Sequence, residues 1–405
     1  MNKTIKKLSV RLYGKEVGIL TDISGKMRFK YNSDAKTPLS LSLPIIEQVY
    51  SEKDCKGYFG GLLPESPDTR RIIAMQNKIN PNNDFALLAA IGRDCAGAVS
   101  FHEIGEPEKD EHSLLVEGDN ITIDELEENI KNLPKKPLSL GRRLSLAGAQ
   151  EKTAVTVING KICLAKNSSP TTHILKPAIR AFEQSVANEY ICMQAAKMCG
   201  LLVPDVQILM ANDTEFFLIE RFDRQINGEK IIRLQQEDFT QALGIWTDNK
   251  YSVTFKDCEK VLSQLRYPAA SKNQFVYHAI FNYLIGNCDA HGKNFSILYK
   301  QNGDIFLSPA YDILCTRVYE GLDSVMAMKI GNAKFIDEVR EKDWNLFAKQ
   351  LGVNPLAVRD TLWDLTNQLP IALDGVVKEL DIEIGYKILN YVNNSCSRAK
   401  PDMGF

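Results

Sequence analysis

Residues 289–296 read Asp289-Ala290-His291-Gly292-Lys293-Asn294-Phe295-Ser296, and a second motif, Pro309-Ala310-Tyr311-Asp312, follows a short interval later. The stretches 295–299 and 305–308 read as two strands joined through Asn302-Gly303, a strong hairpin-turn signal. Antiparallel strands with a short turn bring the chain back to where it started. Asn294, which opens the first strand, and Asp312, just past the second, are therefore expected side by side, as two oxygen ligands for one hard cation. Asp289 lies five residues before Asn294, so a proton-accepting carboxylate shares the same cleft. Asp, Gly and Asn are also common turn residues, and a turn explains Asp312 taken alone. It does not explain the whole placement.

Upstream, Ser271-Lys272-Asn273-Gln274 has the form of a capping box ahead of a strongly apolar helix ending near Ile285. Residues from about 335 onward read as helices. Between 152 and 220 the pattern is mostly strand: 153–158 alternates, Asn159-Gly160 turns, 161–165 returns, and 172–176 is stopped by Pro177. A helix follows over 185–200, with Val186, Tyr190, Met193 and Ala196 at helical spacing and Gly200 at its end. The stretches 205–210 and 216–220 complete a small sheet. At the N-terminus Leu8, Val10 and Leu12 alternate into a Gly14-Lys15 turn and return through Val17 and Ile19; 45–100 is largely helical. Thr122-Ile123-Asp124-Glu125 is another box-like helix start. The charged run 105–136 and Pro134-Lys135-Lys136-Pro137 place a domain boundary between about 105 and 137. Strand-rich and helix-rich halves behind an N-terminal module make an α+β protein.

The whole chain has 405 residues, 49 basic against 51 acidic, a formal net charge of −2, and 44% apolar composition. That is globular, and it gives no whole-chain attraction to nucleic acid or anionic membrane. The runs 85–91 and 277–285 are too short to span a bilayer, and Met1 to Val10 lacks the apolar core of a signal peptide. Nine cysteines with no C-x-x-C, mostly inside apolar segments, read as buried reduced thiols, and the five histidines show no metal-ligand spacing. A cytoplasmic protein without zinc is expected.

Three further features bear on chemistry. Ala147-Gly148-Ala149, after Ser145, is either an ordinary turn or a place where backbone amides approach a phosphate. Lys176, ending a short apolar strand, either snorkels to solvent or points inward towards an anion, Glu189 on the next helix being one partner. A lysine on phosphates held by a helix glutamate, and an Asp followed five residues on by Asn as base and magnesium ligand, are both features of kinases.

Ser145 to Lys152, Glu220-Arg221-Phe222-Asp223-Arg224, Gln236-Glu237-Asp238, Asp289 to Ser296 and Tyr311-Asp312 together resemble the HipA serine/threonine kinase toxins of bacterial HipBA toxin–antitoxin systems. Leu39 to Pro44, Gly61 to Ser66 and Ile91-Gly92-Arg93-Asp94 resemble the N-terminal module of that family, in the same order, so the likeness covers nearly the whole chain. The resemblance implies a two-lobed protein-kinase-like fold with an additional N-terminal module. The domains would be an N-terminal module over 1–105, a kinase N-lobe with linker over 106–232, and a mainly helical C-lobe over 233–405.

By the same resemblance, Ala147, Gly148, Ala149, Gln150, Glu151 and Lys152 form the loop over the ATP phosphates. Lys176 contacts phosphate oxygens, and Glu220, Arg221 and Phe222 form the hinge that meets adenine. Asp289 is the catalytic base. His291, Gly292, Lys293 and Asn294, with Tyr311 and Asp312, line the phosphate and Mg2+ site, Asn294 and Asp312 being the metal ligands. Ser145 is the autophosphorylation site that silences the enzyme, and Arg142 and Arg143 are compatible with that, since they can pair with the new phosphate. The implied partners are a HipB-like helix-turn-helix antitoxin, DNA through that antitoxin, and a protein substrate of the aminoacyl-tRNA synthetase class, whose inhibition stops translation and promotes persistence. Lys293 stands four residues after the base, where most eukaryotic kinases place a lysine two after it; His291 takes that nearer slot. Two rival readings are a small-molecule kinase and a catalytically silent corepressor on an antitoxin–DNA complex.

Overall fold

The computed structural model describes residues 6–108, 114–115, 118–125, 128, 152–165, 170–212, 214–227, 230–300 and 302–400. Ser145 and the loop Ala147 to Glu151 lie outside the described residues. The chain forms two compact units. One comprises Met1–Pro177, Leu209–Thr247 and Leu298–Gly303; the other comprises Ala178–Ile208, Asp248–Ile297 and Asp304–Phe405.

The first unit opens with strands β1 (Lys7–Leu12), β2 (Lys15–Ile23) and β3 (Lys26–Tyr31), then helices α1 (Glu52–Gly61), α2 (Pro67–Asn77) and α3 (Asp84–Ile91), and strand β4 (Val99–Glu103). The four strands make one sheet in the order β3-β2-β1-β4. The first turn is Tyr13-Gly14, both at positive φ (54° and 79°), one residue earlier than the Gly14-Lys15 reading. A register shift between Val10 and Arg11 also changes the return strand's phase, so Val17 and Leu20 are buried and Ile19 only half-buried. Phe29, Tyr31, Tyr58, Phe59 and Phe101 fill the core between sheet and helices. Each such ring contributes roughly 1.5–3 kcal/mol of burial.

Further along lie β5 (Leu114–Leu115), β6 (Gly118–Asn120), β7 (Thr153–Ile158), β8 (Lys161–Ala165), β9 (His173–Pro177), β10 (Val206–Ala211) and β11 (Thr214–Glu220). A six-stranded sheet runs β10-β11-β9-β7-β8-β6. Its β7–β8 turn is Asn159-Gly160, both residues at positive φ, as that dipeptide requires. The box at Thr122 is made: Glu125 N–H donates to Thr122 Oγ1 at 3.1 Å, and Thr122 N–H to Glu125 Oε2 at 2.8 Å. Strands β12 (Arg224–Asn227) and β13 (Lys230–Arg233) pair with each other, β13 also pairs with β5, and β14 (Gln235–Asp238) follows.

The second unit is mainly helical: α4 (Ser185–Met198), α5 (Phe255–Leu262), α6 (Pro268–Ile285), α7 (Glu341–Leu351), α8 (Pro355–Leu380) and α9 (Glu383–Ala399). The long α8 packs against α4, α6, α7 and α9, burying Leu362, Leu365, Leu369 and Leu373. Helix α6 begins at Pro268, in the first-turn position where its missing N–H costs nothing. Ser271 therefore lies inside the helix, and the capping-box reading at 271–274 is corrected. The hairpin β15 (Ser296–Tyr299) and β16 (Ile305–Leu307) is followed by a second pair, β17 (Val325–Ile330) and β18 (Ala333–Phe335), which the pattern reading did not include. All nine cysteines are free and buried. Among the described residues, no helix is long and apolar enough to cross a membrane.

Candidate active site

Helix α6 is apolar on most of its circumference and ends at Gly286, whose φ of +82° turns the chain out of the helix. The segment after it is pinned residue by residue. Asn287 Oδ1 accepts the Asp289 N–H at 3.1 Å, the Asp289 carbonyl accepts His291 N–H at 2.8 Å, and the His291 carbonyl accepts Asn294 N–H at 2.9 Å. Asp289 itself is exposed, whereas His291, Gly292, Lys293 and Asn294 are buried. An exposed carboxylate on a backbone fixed by buried neighbours can meet an incoming group without moving its own support.

The hairpin does what its length demands. Asn294 Nδ2 donates to Asp312 Oδ2 at 3.2 Å, so the two side chains 18 residues apart in sequence touch. Asp312 adopts φ 59°, a left-handed conformation that aspartate tolerates better than most residues. Tyr311 locks the same corner: its hydroxyl donates to the Lys293 carbonyl at 2.7 Å and meets Ser296 Oγ at 2.5 Å. Asp289, His291 to Asn294, Tyr311 and Asp312 are thus brought together within the second unit.

Asn294 and Asp312 each carry side-chain oxygen, the donor type that a hard cation such as magnesium prefers. Such an ion keeps several waters and takes only one or two protein ligands beside substrate phosphates. Among the described residues no group of three or more His, Cys, Asp or Glu side chains is arranged to hold a metal. The pair at Asn294 and Asp312 does not need one.

In the first unit, Lys176 lies on β9 opposite Phe217 of β11; it is 6% exposed, and its Nζ sits 5.6 Å from the Phe217 ring centroid. It does not snorkel to solvent. Lys152 is half-buried just ahead of β7. Glu220 ends β11 opposite His173, and Arg221 N–H donates to the Thr172 carbonyl at 2.9 Å. Phe222 is half-buried. The Arg221 side chain is wholly engaged elsewhere, in a bidentate pair with Asp223 at 2.9 and 2.8 Å and in a bond to Thr171 at 2.8 Å. Only backbone atoms of Arg221 are left to meet a nucleotide.

That arginine belongs to a buried charge network whose role pattern reading missed. Asp94 Oδ1 accepts from Arg224 Nη2 at 3.0 Å and from Arg233 Nη2 at 3.2 Å, while its Oδ2 accepts from Thr171 Oγ1 at 2.7 Å. Asp223 Oδ2 accepts from Gly97 N–H at 2.6 Å and Arg224 Nη1 at 3.0 Å. Burial alone pushes the Asp223 carboxyl up, but the guanidiniums of Arg221 and Arg224 hold it below the usual carboxylate range. Ile91-Gly92-Arg93-Asp94 and Glu220 to Arg224 were visible as motifs; that they converge is a fact of the fold. Tyr251 is the other residue missed. Its hydroxyl donates to Asp289 Oδ1 at 2.9 Å, and no motif marked it.

Family models match in two blocks: the HipA-like C-terminal domain over residues 144–373 and the HipA N-terminal domain over residues 8–102. The chain belongs to the HipA family. A protein of Sinorhizobium fredii, Y4mE, provisionally named a kinase, is 38% identical over 416 residues, covering 98% of both chains. The serine/threonine-protein kinase toxin HipA of Shewanella oneidensis is 28% identical over 393 residues, 91% of this chain and 88% of that one. The solved complex of the Shewanella oneidensis toxin–antitoxin system, HipA with HipB and its operator DNA, superposes with a TM-score of 0.83 at 25% identity, covering 98% of each chain. The fold is accordingly the α+β, two-lobed, kinase-like HipA fold, and the family is one of kinases.

Proposed function

We propose that this HipA-family chain is an ATP-dependent serine/threonine-protein kinase toxin that modifies a protein substrate and silences itself at Ser145. The observation that carries the reading is the contact of Asn294 with Asp312 beside the exposed carboxylate of Asp289. A proton acceptor and a two-oxygen seat for a hard cation on one rigid turn is what phosphoryl transfer asks of a protein, since the reaction needs positioning and charge neutralisation more than covalent chemistry.

In this reading Asp289 takes the proton of the acceptor hydroxyl. Asn294 and Asp312 hold Mg2+, which when bound offsets the charge growing on the phosphates. His291, Gly292, Lys293 and Tyr311 hold the turn and line the phosphate site. Lys176 supplies a fixed positive charge from β9, and the loop from Ala147 to Lys152 covers the phosphates. Glu220, Phe222 and the backbone of Arg221 meet adenine.

A HipB-like antitoxin is the proposed partner, supported by the HipB present in the related complex. DNA would be reached through that antitoxin, in keeping with the near-neutral charge of this chain. The proposed substrate is an aminoacyl-tRNA synthetase, whose modification would block translation in the cytoplasm and promote persistence. The test is phosphate incorporation from labelled MgATP by wild type, Asp289→Asn and Ser145→Ala, read by peptide mass spectrometry. Label on Ser145 in wild type and none in Asp289→Asn is expected. A folded, initially unphosphorylated wild type that binds MgATP yet labels neither itself nor synthetase acceptors would overturn the reading.

A further inference from the structure

Thr247–Ser252 is a six-residue 3-10 segment with a kink at Asn249 (φ −103°, ψ 17°), and none of its residues is buried. From it Tyr251, 55% exposed, reaches Asp289 Oδ1 with its hydroxyl at 2.9 Å. Its ring stands edge-on to His291, with centroids 5.2 Å apart and planes at 82°, and Lys250 Nζ lies 5.3 Å from the Tyr251 centroid. A hydroxyl therefore already donates to the carboxylate, at the distance and with the polarity that an acceptor serine or threonine must adopt before transfer.

We propose that Tyr251 holds the acceptor's seat on Asp289, so that water is not activated there and a protein hydroxyl that displaces it is selected. The inference rests on Asp289 being the proton acceptor. In the productive reaction a bond forms from the acceptor oxygen to the γ-phosphorus, the bond from that phosphorus to the bridging oxygen breaks to leave ADP, and the acceptor proton passes to Asp289. With water as acceptor the same exchange gives ADP and inorganic phosphate. Asp289 is exposed, so solvent is always at hand, and what guards the carboxylate is the hydroxyl already on it. The guard can leave without disturbing a core, because its segment buries no side chain.

Tyr251→Phe keeps the ring on His291 and removes only the hydroxyl. Full-length wild type, Tyr251→Phe, Asp289→Asn and the double variant would be given MgATP without acceptor, and ADP release followed beyond the stoichiometric burst that self-labelling would produce. A hydrogen bond to a charged group is worth about a factor of ten or more, so sustained hydrolysis by Tyr251→Phe should rise about tenfold over wild type. The double variant should fall back to the Asp289→Asn level. With a synthetic peptide of residues 138–152 as acceptor, Tyr251→Phe should lower KM and leave kcat within about twofold. Unchanged hydrolysis and KM, a loss of kcat, or label on Tyr251 itself would each overturn the assignment. If Asp289→Asn transfers phosphate as wild type does, the underlying reading of Asp289 fails instead, whatever Tyr251→Phe does.

Discussion

Asp289 and Asp312 are carboxylates on one turn system with different exposures and different consequences when changed. Asp289→Asn removes the proposed proton acceptor from an exposed position, so transfer should fall by about 10²–10⁴ while the melting temperature stays put; a large fall in both would point to a structural role. Asp312→Asn keeps a side chain that tolerates φ 59°, so the backbone stays unstrained while the anionic ligand proposed for Mg2+ is lost. Weaker MgATP binding in a titration, with a normal circular dichroism spectrum, is the expected result. A third carboxylate, Glu237, is wholly buried; it accepts from Leu41 N–H at 2.9 Å and from the Tyr299 hydroxyl, and its Oε2 has no hydrogen-bond partner among the described residues. Burial pushes this carboxyl up to about 7 from 4.5, against the downward pull of the nearby Ser40 hydroxyl and of the bonds from Tyr299 and Leu41. Between those two pH values the folded protein holds a proton that the unfolded chain releases, so the residue's contribution to stability falls as pH rises through the window. Glu237→Gln should therefore gain about 3 kcal/mol relative to wild type between pH 5 and pH 8 in urea denaturation. Burial lowers the buried His102 and His278 to about 4 and 3, and the half-buried His173 to about 4. They act in the opposite direction, but in both proteins alike, and cancel in the difference. A pH-independent difference would sink the assignment.

Elements with a local chemical reason were legible from sequence; those fixed by distant contacts were not. Asn159-Gly160 announced its hairpin because only such residues take two successive positive φ angles cheaply, and the Asn294–Asp312 contact followed from hairpin geometry alone. The start of α6 was misplaced because Ser271-Lys272-Asn273-Gln274 has capping chemistry, whereas Pro268 starts the helix three residues earlier. The β17–β18 pair escaped notice although a hairpin dipeptide, Gly331-Asn332 with Gly331 at φ 59°, joins its strands; only Ile330 and Ala333 at the turn and Val325 and Phe335 at the far end pair in register. Tyr251 could not be read at all, since nothing in residues 247–252 says which side chain they face. Gly286 was legible only as a helix stop, yet its surroundings are more demanding. A Cβ there would lie 2.5 Å from Tyr391 Cε1 and 3.1 Å from Arg317 Cγ, on a backbone at φ +82°. Gly286→Ala should destabilise the protein by more than about 1 kcal/mol and shift the turn that carries Asp289. Reduced kcat with a lowered melting temperature is expected; an unchanged pair of values would mean the turn is held by the hairpin side alone.

Across the whole chain, two family models meet in one charge network. Residues 8–102 match one and 144–373 the other, yet Asp94 from the first is bonded to Arg224 and Arg233 from the second, and its neighbour Cys95 offers its carbonyl to Arg221 and Arg224. Asp94, Arg224 and Arg233 have side chains only 1–2% exposed. Gln235 adds neutral stitches, donating to the Leu39 carbonyl at 2.7 Å and the Tyr58 hydroxyl at 2.9 Å. Two aspartates against three arginines make a cluster that is tolerable only while every guanidinium keeps its acceptors, because a buried charge stripped of its partner costs several kcal/mol. The N-terminal block is therefore no bead on a linker: taking it away strips Arg224 and Arg233 of Asp94. Asp94→Asn in the full chain should cost about 3–5 kcal/mol in chemical denaturation, while Asp68→Asn, whose pair with Arg71 is exposed on α2, should cost almost nothing. The stronger form of the experiment removes residues 1–105 altogether. If the network holds the two blocks as one folding unit, residues 106–405 expressed alone should be insoluble or lack a cooperative transition. Solubility should return on adding back residues 1–105 in trans with Asp94 intact, and not with Asp94→Asn. A soluble 106–405 that melts cooperatively near the full-length temperature would show that the charge network joins two independently stable pieces instead of completing one.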